Sequence, residues 1–258
     1  MGIVNVTPDS FSDGGRFLDP AAAIAHGREL AAAGADVLDV GGESTRPGAT
    51  AVSAAEELER VMPVIEGLAG VAPLSIDTTK AEVAARAIEA GAAMVNDVTA
   101  LSDPDMAPLC AERGVEVVVM HMLGTPRTMQ DDPRYDDVVG EILEFLTERA
   151  DRAVAAGIER DRIWIDPGIG FGKTTGHNLT LLAAVDRFAA TGLPVLIGPS
   201  RKTFIGRLSG DAPEGERLGG TIAACLAALA GGAAMVRGHD VAPVAQAIAV
   251  ARAIDDAR

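Results

Sequence analysis

Asn5, Asp77, Asn96, Asp166, Arg237 and His239 share a local setting: each ends, or closely follows, a short run of apolar residues. A strand covered on both faces reads as an unbroken Val, Ile and Leu stretch. Polar groups gathered where such stretches stop therefore predict one mouth at the C-terminal ends of parallel strands. A buried carboxylate accepts paired N–H donors, and an Asn side chain both donates and accepts. Asp77, Asn96 and Asp166 thus suit the amino-amide edge of a flat heterocycle. A single strand-end Asp is often only the N-cap of the next helix, and for Asp77 that plainer reading stands beside the first.

A cationic set follows other runs. Thr45 and Arg46, in Gly41–Gly48, have the donors to grip phosphate oxygens, and the glycines there allow close backbone approach. Ser200, Arg201 and Lys202 open an expected helix, a setting that favours an anion. Arg237 and His239 end the last run and would neighbour Asn5 once the strands close into a ring. The set suits a diphosphate. Asp166–Lys173 lacks the spacing of a nucleotide-triphosphate loop and reads as a loop whose glycines admit a ligand, with Phe171 as an apolar wall. His121 fits core or pocket, His26 and His177 fit surface or cap, and no Cys/His zinc spacing occurs. The Asn5–Gly15 segment, rich in Gly, Ser and Asp, reads as a lid.

Eight apolar runs must position these groups: 2–6, 37–40, 74–77, 94–97, 115–121, 163–166, 195–198 and 235–237. Stretches of helical periodicity alternate with them at 20–33, 53–69, 79–90, 104–113, 136–156, 178–190, 216–230 and 241–257. Several of these stop at a glycine, the αL exit that a β-carbon disfavours. Eight β/α units in 258 residues with no linker predict a single domain over residues 1–258, an α/β fold of the (β/α)8 TIM-barrel kind. The loops after the strands are long and chemically loaded, which places the active site at the C-terminal face.

With Lys+Arg 22 against Asp+Glu 37, a net charge of -15 excludes a nonspecific nucleic-acid or anionic-membrane surface. An anionic substrate would need a local cationic pocket, and two of only three lysines, Lys173 and Lys202, sit in the loaded loops. Two distant cysteines, no signal peptide and no long apolar span lead us to expect a soluble, cytoplasmic protein that contacts no membrane.

Taken together, Asn5–Gly15, Gly34–Gly48, Ser75–Thr78, Asn96–Val98, Met120–Met122, Asp166–Lys173, Ser200–Lys202 and Arg237–Val241 resemble the dihydropteroate synthase family of pterin-binding barrels. The resemblance spans the whole chain. It implies condensation of (7,8-dihydropterin-6-yl)methyl diphosphate with 4-aminobenzoate, by an Mg²⁺-assisted dissociative displacement that releases pyrophosphate. By carry-over Asp77, Asn96, Met120, Asp166, Phe171 and Lys202 hold the pterin, while Asn5, Thr45, Arg46, Arg237 and His239 hold the diphosphate. Phe11, Pro47, Phe171, Lys202 and Thr203 border the aminobenzoate. Asn5 would also ligate Mg²⁺, and Asn5, Arg46, Lys202, Arg237 and His239 carry the catalysis. The family more often has serine at Thr203. It also implies a homodimer and usually carries a hairpin beneath the barrel, whereas this chain begins on its first strand. Two other readings stay open: a pterin-dependent methyltransferase domain, which would have no use for Arg46, Arg237 and His239, and a catalytically silent pterin-binding paralogue.

Overall fold

The computed structural model describes residues 1–7, 19–46 and 48–257. Among them eight strands appear: β1 (Gly2–Asn5), β2 (Leu38–Gly41), β3 (Leu74–Asp77), β4 (Ala92–Asp97), β5 (Glu116–Met120), β6 (Ile163–Asp166), β7 (Leu196–Ile197) and β8 (Met235–Val236). The first six pair in parallel in chain order, and β7 pairs with β8. Single bridges, Ile165 to Val195 and Gly2 to Gly238, join the two sheets. At these seams Ile165 N–H donates to the Pro194 carbonyl at 3.0 Å and Ile3 N–H to the Gly238 carbonyl at 3.1 Å. The eight strands thus close the expected α/β barrel.

Ten helices surround it among the described residues: α1 (Pro20–Ala32), α2 (Ala54–Leu68), α3 (Ala81–Glu89), α4 (Met106–Arg113), α5 (Val138–Ala155), α6 (Thr175–Ala183), α7 (Val185–Ala189), α8 (Thr203–Leu208), α9 (Leu218–Ala230) and α10 (Val241–Asp256). Local chemistry sets their starts. Asp19 accepts the Ala21 N–H just before Pro20, and Ser53 accepts that of Glu56. Thr174 and His177 form a reciprocal capping box, so α6 begins earlier than periodicity suggests. The expected helix at 178–190 is broken at Ala184, whose φ of -115° and ψ of 23° leave the helical well. The short α8 lies inside the long loop after β7.

Alternation along each strand separates two cores. Outward residues such as Val4, Val40, Ile76, Val95 and Val119 pack on Val61, Ile65, Ile142 and Leu146 of the helices. Burying each such side chain contributes about 1.5–3 kcal/mol. Inward residues Met94, Val118 and Leu196 join Met1 in a second cluster, with Trp164 packed against it. One step further along, the inward row turns polar: Asn5 pairs in register with Gly41, Gly41 with Asp77, and Asp77 with Asn96. The barrel is filled at one end and chemically open at the other, as the polar strand ends predict.

Candidate active site

A cavity of about 670 Å³ opens over the C-terminal strand ends, bordered by Asn5, Thr45, Arg46, Asp77, Phe171, Lys202, Thr203, Arg237 and His239. Beneath it a recess of only about 30 Å³ is lined by Thr45, Asp77, Asn96, Met120, Asp166, Phe171, Lys202 and Arg237. Every sequence-predicted site residue within the described residues lies on one of these walls. Phe11 and Pro47 lie outside the described residues, as does most of the expected lid.

The recess is built around Arg237. Its Nε donates to Asp39 Oδ2 at 2.5 Å and its Nη2 to Asp77 Oδ2 at 2.7 Å. Asn96 Nδ2 donates to the same Asp39 oxygen at 3.0 Å, while Asp39 Oδ1 has no partner among the described residues. Asp39, which sequence reasoning did not assign, is fully buried at 0% exposure and organises the floor. Burial opposes the Arg237 charge, but Asp39 and Asp77 outweigh it and hold its pKa above the ordinary arginine value. Asp77 caps no helix, since Lys80 holds the N-cap position of α3. Burial raises the Asp77 pKa against the pull of Arg237. Asp97 is different: it accepts from Thr99 and Leu101 N–H groups and ties a turn.

Asp166 accepts the Gly168 N–H at 2.7 Å, and burial raises its pKa to about 6. The glycines that follow make room for the chain itself rather than for a ligand. A β-carbon at Gly168, with φ at +71°, would sit 2.0 Å from the His121 carbonyl oxygen. This tight seat is locked by Lys173, whose ammonium donates to Phe171 O at 2.8 Å, His121 O at 3.3 Å and His121 Nδ1 at 3.0 Å. Lys173 was read from sequence only as part of the loop; its three donors are spent inside the fold, not on a phosphate. Burial lowers its pKa to about 7. His121 belongs to the core and touches Phe145 edge-on. His177 is the α6 cap. Phe171 faces the mouth, with the Lys202 ammonium 4.0 Å from its ring centre.

On the cationic side, Ser200 Oγ accepts the His239 backbone N–H at 3.2 Å and lies 3.0 Å from His239 Nδ1. Burial, then Arg201 and Arg237, lower the His239 pKa to about 3, so the ring is neutral, with one nitrogen donating an N–H and the other accepting. Arg201, read from sequence as half of an anion-binding pair, is committed instead to Asp240 through Nε at 2.9 Å and Nη2 at 2.5 Å. Lys202 is the member of that pair with no hydrogen-bonded carboxylate among the described residues, and burial lowers its pKa to about 8. Arg46 is half-exposed and bonds Glu214 across the mouth at 3.0 Å. Its loop is anchored from below: Lys80 Nζ donates to Glu43 at 2.5 Å and to the fully buried Glu57 at 2.6 Å, and Glu43 accepts the Val52 N–H at 3.2 Å.

Among the described residues no group of three His, Cys, Asp or Glu side chains could hold a metal by itself. Asn5, whose side chain carries one amide oxygen, borders the cavity.

Residues 1–239 match the family model for pterin binding enzymes. A dihydropteroate synthase from Synechocystis is 46% identical over 257 residues, covering 98% of this chain and 89% of its own. A solved structure of the Xanthomonas albilineans dihydropteroate synthase with 4-aminobenzoic acid is 52% identical, with a TM-score of 0.93, covering 99% of this chain and 92% of that one. A structure of the enzyme from the same organism with 7,8-dihydropteroate is 48% identical, with a TM-score of 0.89 and the same coverage, 99% and 92%.

Proposed function

This chain belongs to the pterin-binding enzyme family, and from that premise we propose how its residues carry out the dihydropteroate synthase reaction. The enzyme is a transferase of folate biosynthesis: it condenses (7,8-dihydropterin-6-yl)methyl diphosphate with 4-aminobenzoate, giving 7,8-dihydropteroate and pyrophosphate. The observation that carries the division of labour is the meeting in one cavity of a recess of carboxylates and amide with a cationic rim.

The donors on the pterin edge fall to Asp77, Asn96 and Asp166, with Lys202 on an acceptor and Met120 and Phe171 against the ring faces. Thr45, Arg46, Arg237, His239 and Asn5 take the diphosphate, at the rim where the side-chain donors converge. Phe171, Lys202 and Thr203 border the aminobenzoate, joined by Phe11 and Pro47.

An arylamine carries a free lone pair at neutral pH, so no strong general base is required. Stabilising the leaving group is the larger task. Arg46 and Arg237 neutralise charge that grows on the departing oxygens, and the neutral His239 contributes an N–H without the repulsion a third cation would add beside Arg201 and Arg237. Separating charge this way favours early C–O cleavage, with the pterin ring conjugating the cation left behind. A magnesium ion would fit this set: Mg²⁺ tolerates one protein oxygen plus phosphate oxygens, and Asn5, on the cavity wall, would supply that one. When bound it would supply further charge neutralisation to the diphosphate.

We place the homodimer contact on the apolar helices α9 and α10, where Val250 and Ile254 are each 55% exposed. No helix among the described residues is long and apolar enough to cross a membrane. The two buried free thiols support a cytoplasmic location, and the single closed barrel supports the one-domain reading over residues 1–258.

The test is pyrophosphate release on mixing both substrates with Mg²⁺. Release that depends on 4-aminobenzoate supports the reading, and pterin binding without release would replace it with a silent paralogue.

A further inference from the structure

The recess lined by Asp77, Asn96 and Asp166 is about 30 Å³, room for a water molecule and far too little for a fused two-ring heterocycle. Arg237 is the reason. Its Nη2 sits 2.7 Å from Asp77 Oδ2, so it occupies an acceptor that an incoming ring would need. The other end of the guanidinium is held differently, because Nε donates at 2.5 Å to Asp39, which faces no cavity and is 0% exposed. Asp39 is itself fixed by the Asn96 amide at 3.0 Å, and its Oδ1 has no hydrogen-bond partner among the described residues.

We propose that Asp39 is the positioning residue for Arg237: a fixed pivot that keeps Nε while the terminal nitrogens leave Asp77, opening the recess to the heterocycle and presenting the guanidinium to the diphosphate. Two features make Asp39 the pivot and Asp77 the exchangeable partner. Asp77 lines both cavity and recess, so a ligand's N–H groups can replace Arg237 there, whereas nothing from solvent reaches Asp39. Asp39 Oδ1 also gives the displaced end a second acceptor on the same carboxylate, so the swing need not leave the buried arginine with one bond. Holding by Nε is what permits this, since it leaves both terminal nitrogens free to change partners.

The proposal rests on the synthase reading, which wild-type pyrophosphate release tests separately in the same assay. Asp39→Asn keeps the shape but loses the charge; its kcat should fall at least about tenfold. A positioning residue acts only through its client, so Asp39→Asn placed on Arg237→Ala should change kcat by less than about twofold further. Effects that multiply in the double variant, in an enzyme whose wild type turns over, would overturn the pivot and leave the synthase reading intact. A second measurement needs no active variant. In arginine-¹⁵N-labelled wild type, with Arg237 assigned from Arg237→Lys, its Nε–H signal should stay shifted and slow to exchange when 6-hydroxymethyl-7,8-dihydropterin and inorganic pyrophosphate are added, while its Nη signals move. Loss of the Nε–H bond on adding the heterocycle would overturn the proposal.

Discussion

The Lys173 ammonium lies 3.0 Å from Nδ1 of His121, and both side chains are buried. When Lys173 carries its charge it can only donate, so Nδ1 then accepts and the ring proton sits on Nε2. The pair locks the end of β5 to the loop after β6, the loop that presents Asp166 and Phe171.

Acid stability should reveal this lock. Burial and then Lys173 lower the His121 pKa to about 3 from an ordinary value near 6.5. Between those limits the unfolded chain takes up a proton that the native fold refuses, so stability falls as pH drops from 6.5 toward 3. The slope reaches up to about 1.4 kcal/mol per pH unit for one such group. His121→Gln keeps an acceptor for Lys173 but cannot titrate. Urea midpoints at pH 7 and pH 5 should therefore differ less in the variant than in the wild type, and an unchanged difference would show that His121 does not titrate this way.

The rate should depend on pH through three groups that meet the pterin. Burial raises Asp77 to about 7 and Asp166 to about 6, and burial then Arg237 lower Lys202 to about 8. If the carboxylates and the ammonium are the working forms, kcat/KM for the pterin substrate declines on the acid side as Asp77 and then Asp166 protonate, and again above about 8. Lys202→Arg stays charged well past that range. Its profile should lose the alkaline limb even if its maximum is lower, and a limb that persists would assign it to another group.

Phe171 joins the two substrates' walls, since its ring carries Lys202 at 4.0 Å and borders the open cavity. A cation over an aromatic face is worth about 0.5–2 kcal/mol, depending on how dry the contact is. Phe171→Leu keeps apolar bulk and removes the ring. KM for 4-aminobenzoate should rise about threefold to thirtyfold with kcat changed much less, and steady-state kinetics at saturating pterin substrate measure the split.

How much of this could be read from sequence follows the kind of signal each residue leaves. Asp77, Asn96, Asp166, Arg237 and His239 were legible because a polar residue ending an apolar strand is conspicuous and the barrel brings such ends together. Asp39 sits between Leu38 and Val40 inside a strand, where position alone does not distinguish a buried ion pair from an ordinary interruption; only closure of β8 against β1 brings Arg237 to it. Lys173 looked like a loop cation because its partners, His121 and the Phe171 carbonyl, are set by the packing of two loops. The break at Ala184 left no mark, as the stretch carries no Gly or Pro there and the apolar residues on either side keep one helical periodicity. The signal that could have exposed Lys173 is scarcity: in a chain with three lysines, each was worth pairing with a carboxylate or carbonyl in advance.

The third lysine supports the phosphate-gripping loop. Lys80 sits between Glu43, in the loop that carries Thr45 and Arg46, and Glu57 of α2, whose side chain has 0% exposure. Removing one partner of a buried pair leaves the other charge uncompensated, at a cost of about 3–5 kcal/mol, far more than a surface pair would. Lys80→Met fills the space without the charge, and Glu57 Oε1 already has no hydrogen-bond partner among the described residues, so no spare donor waits to replace it. We expect a lowered urea midpoint and, in the fraction that remains folded, a raised KM for the diphosphate substrate, because the loop would lose its tether while Arg46 keeps its own chemistry. The double variant Lys80→Met with Glu57→Gln removes both charges and should recover part of the stability but little of the KM, since Glu43 would still lack its anchor. Recovery of both together would mean that the loop is held by other contacts, such as Gly42 packing against Val61, where an added β-carbon would stand 2.7 Å from Cγ1.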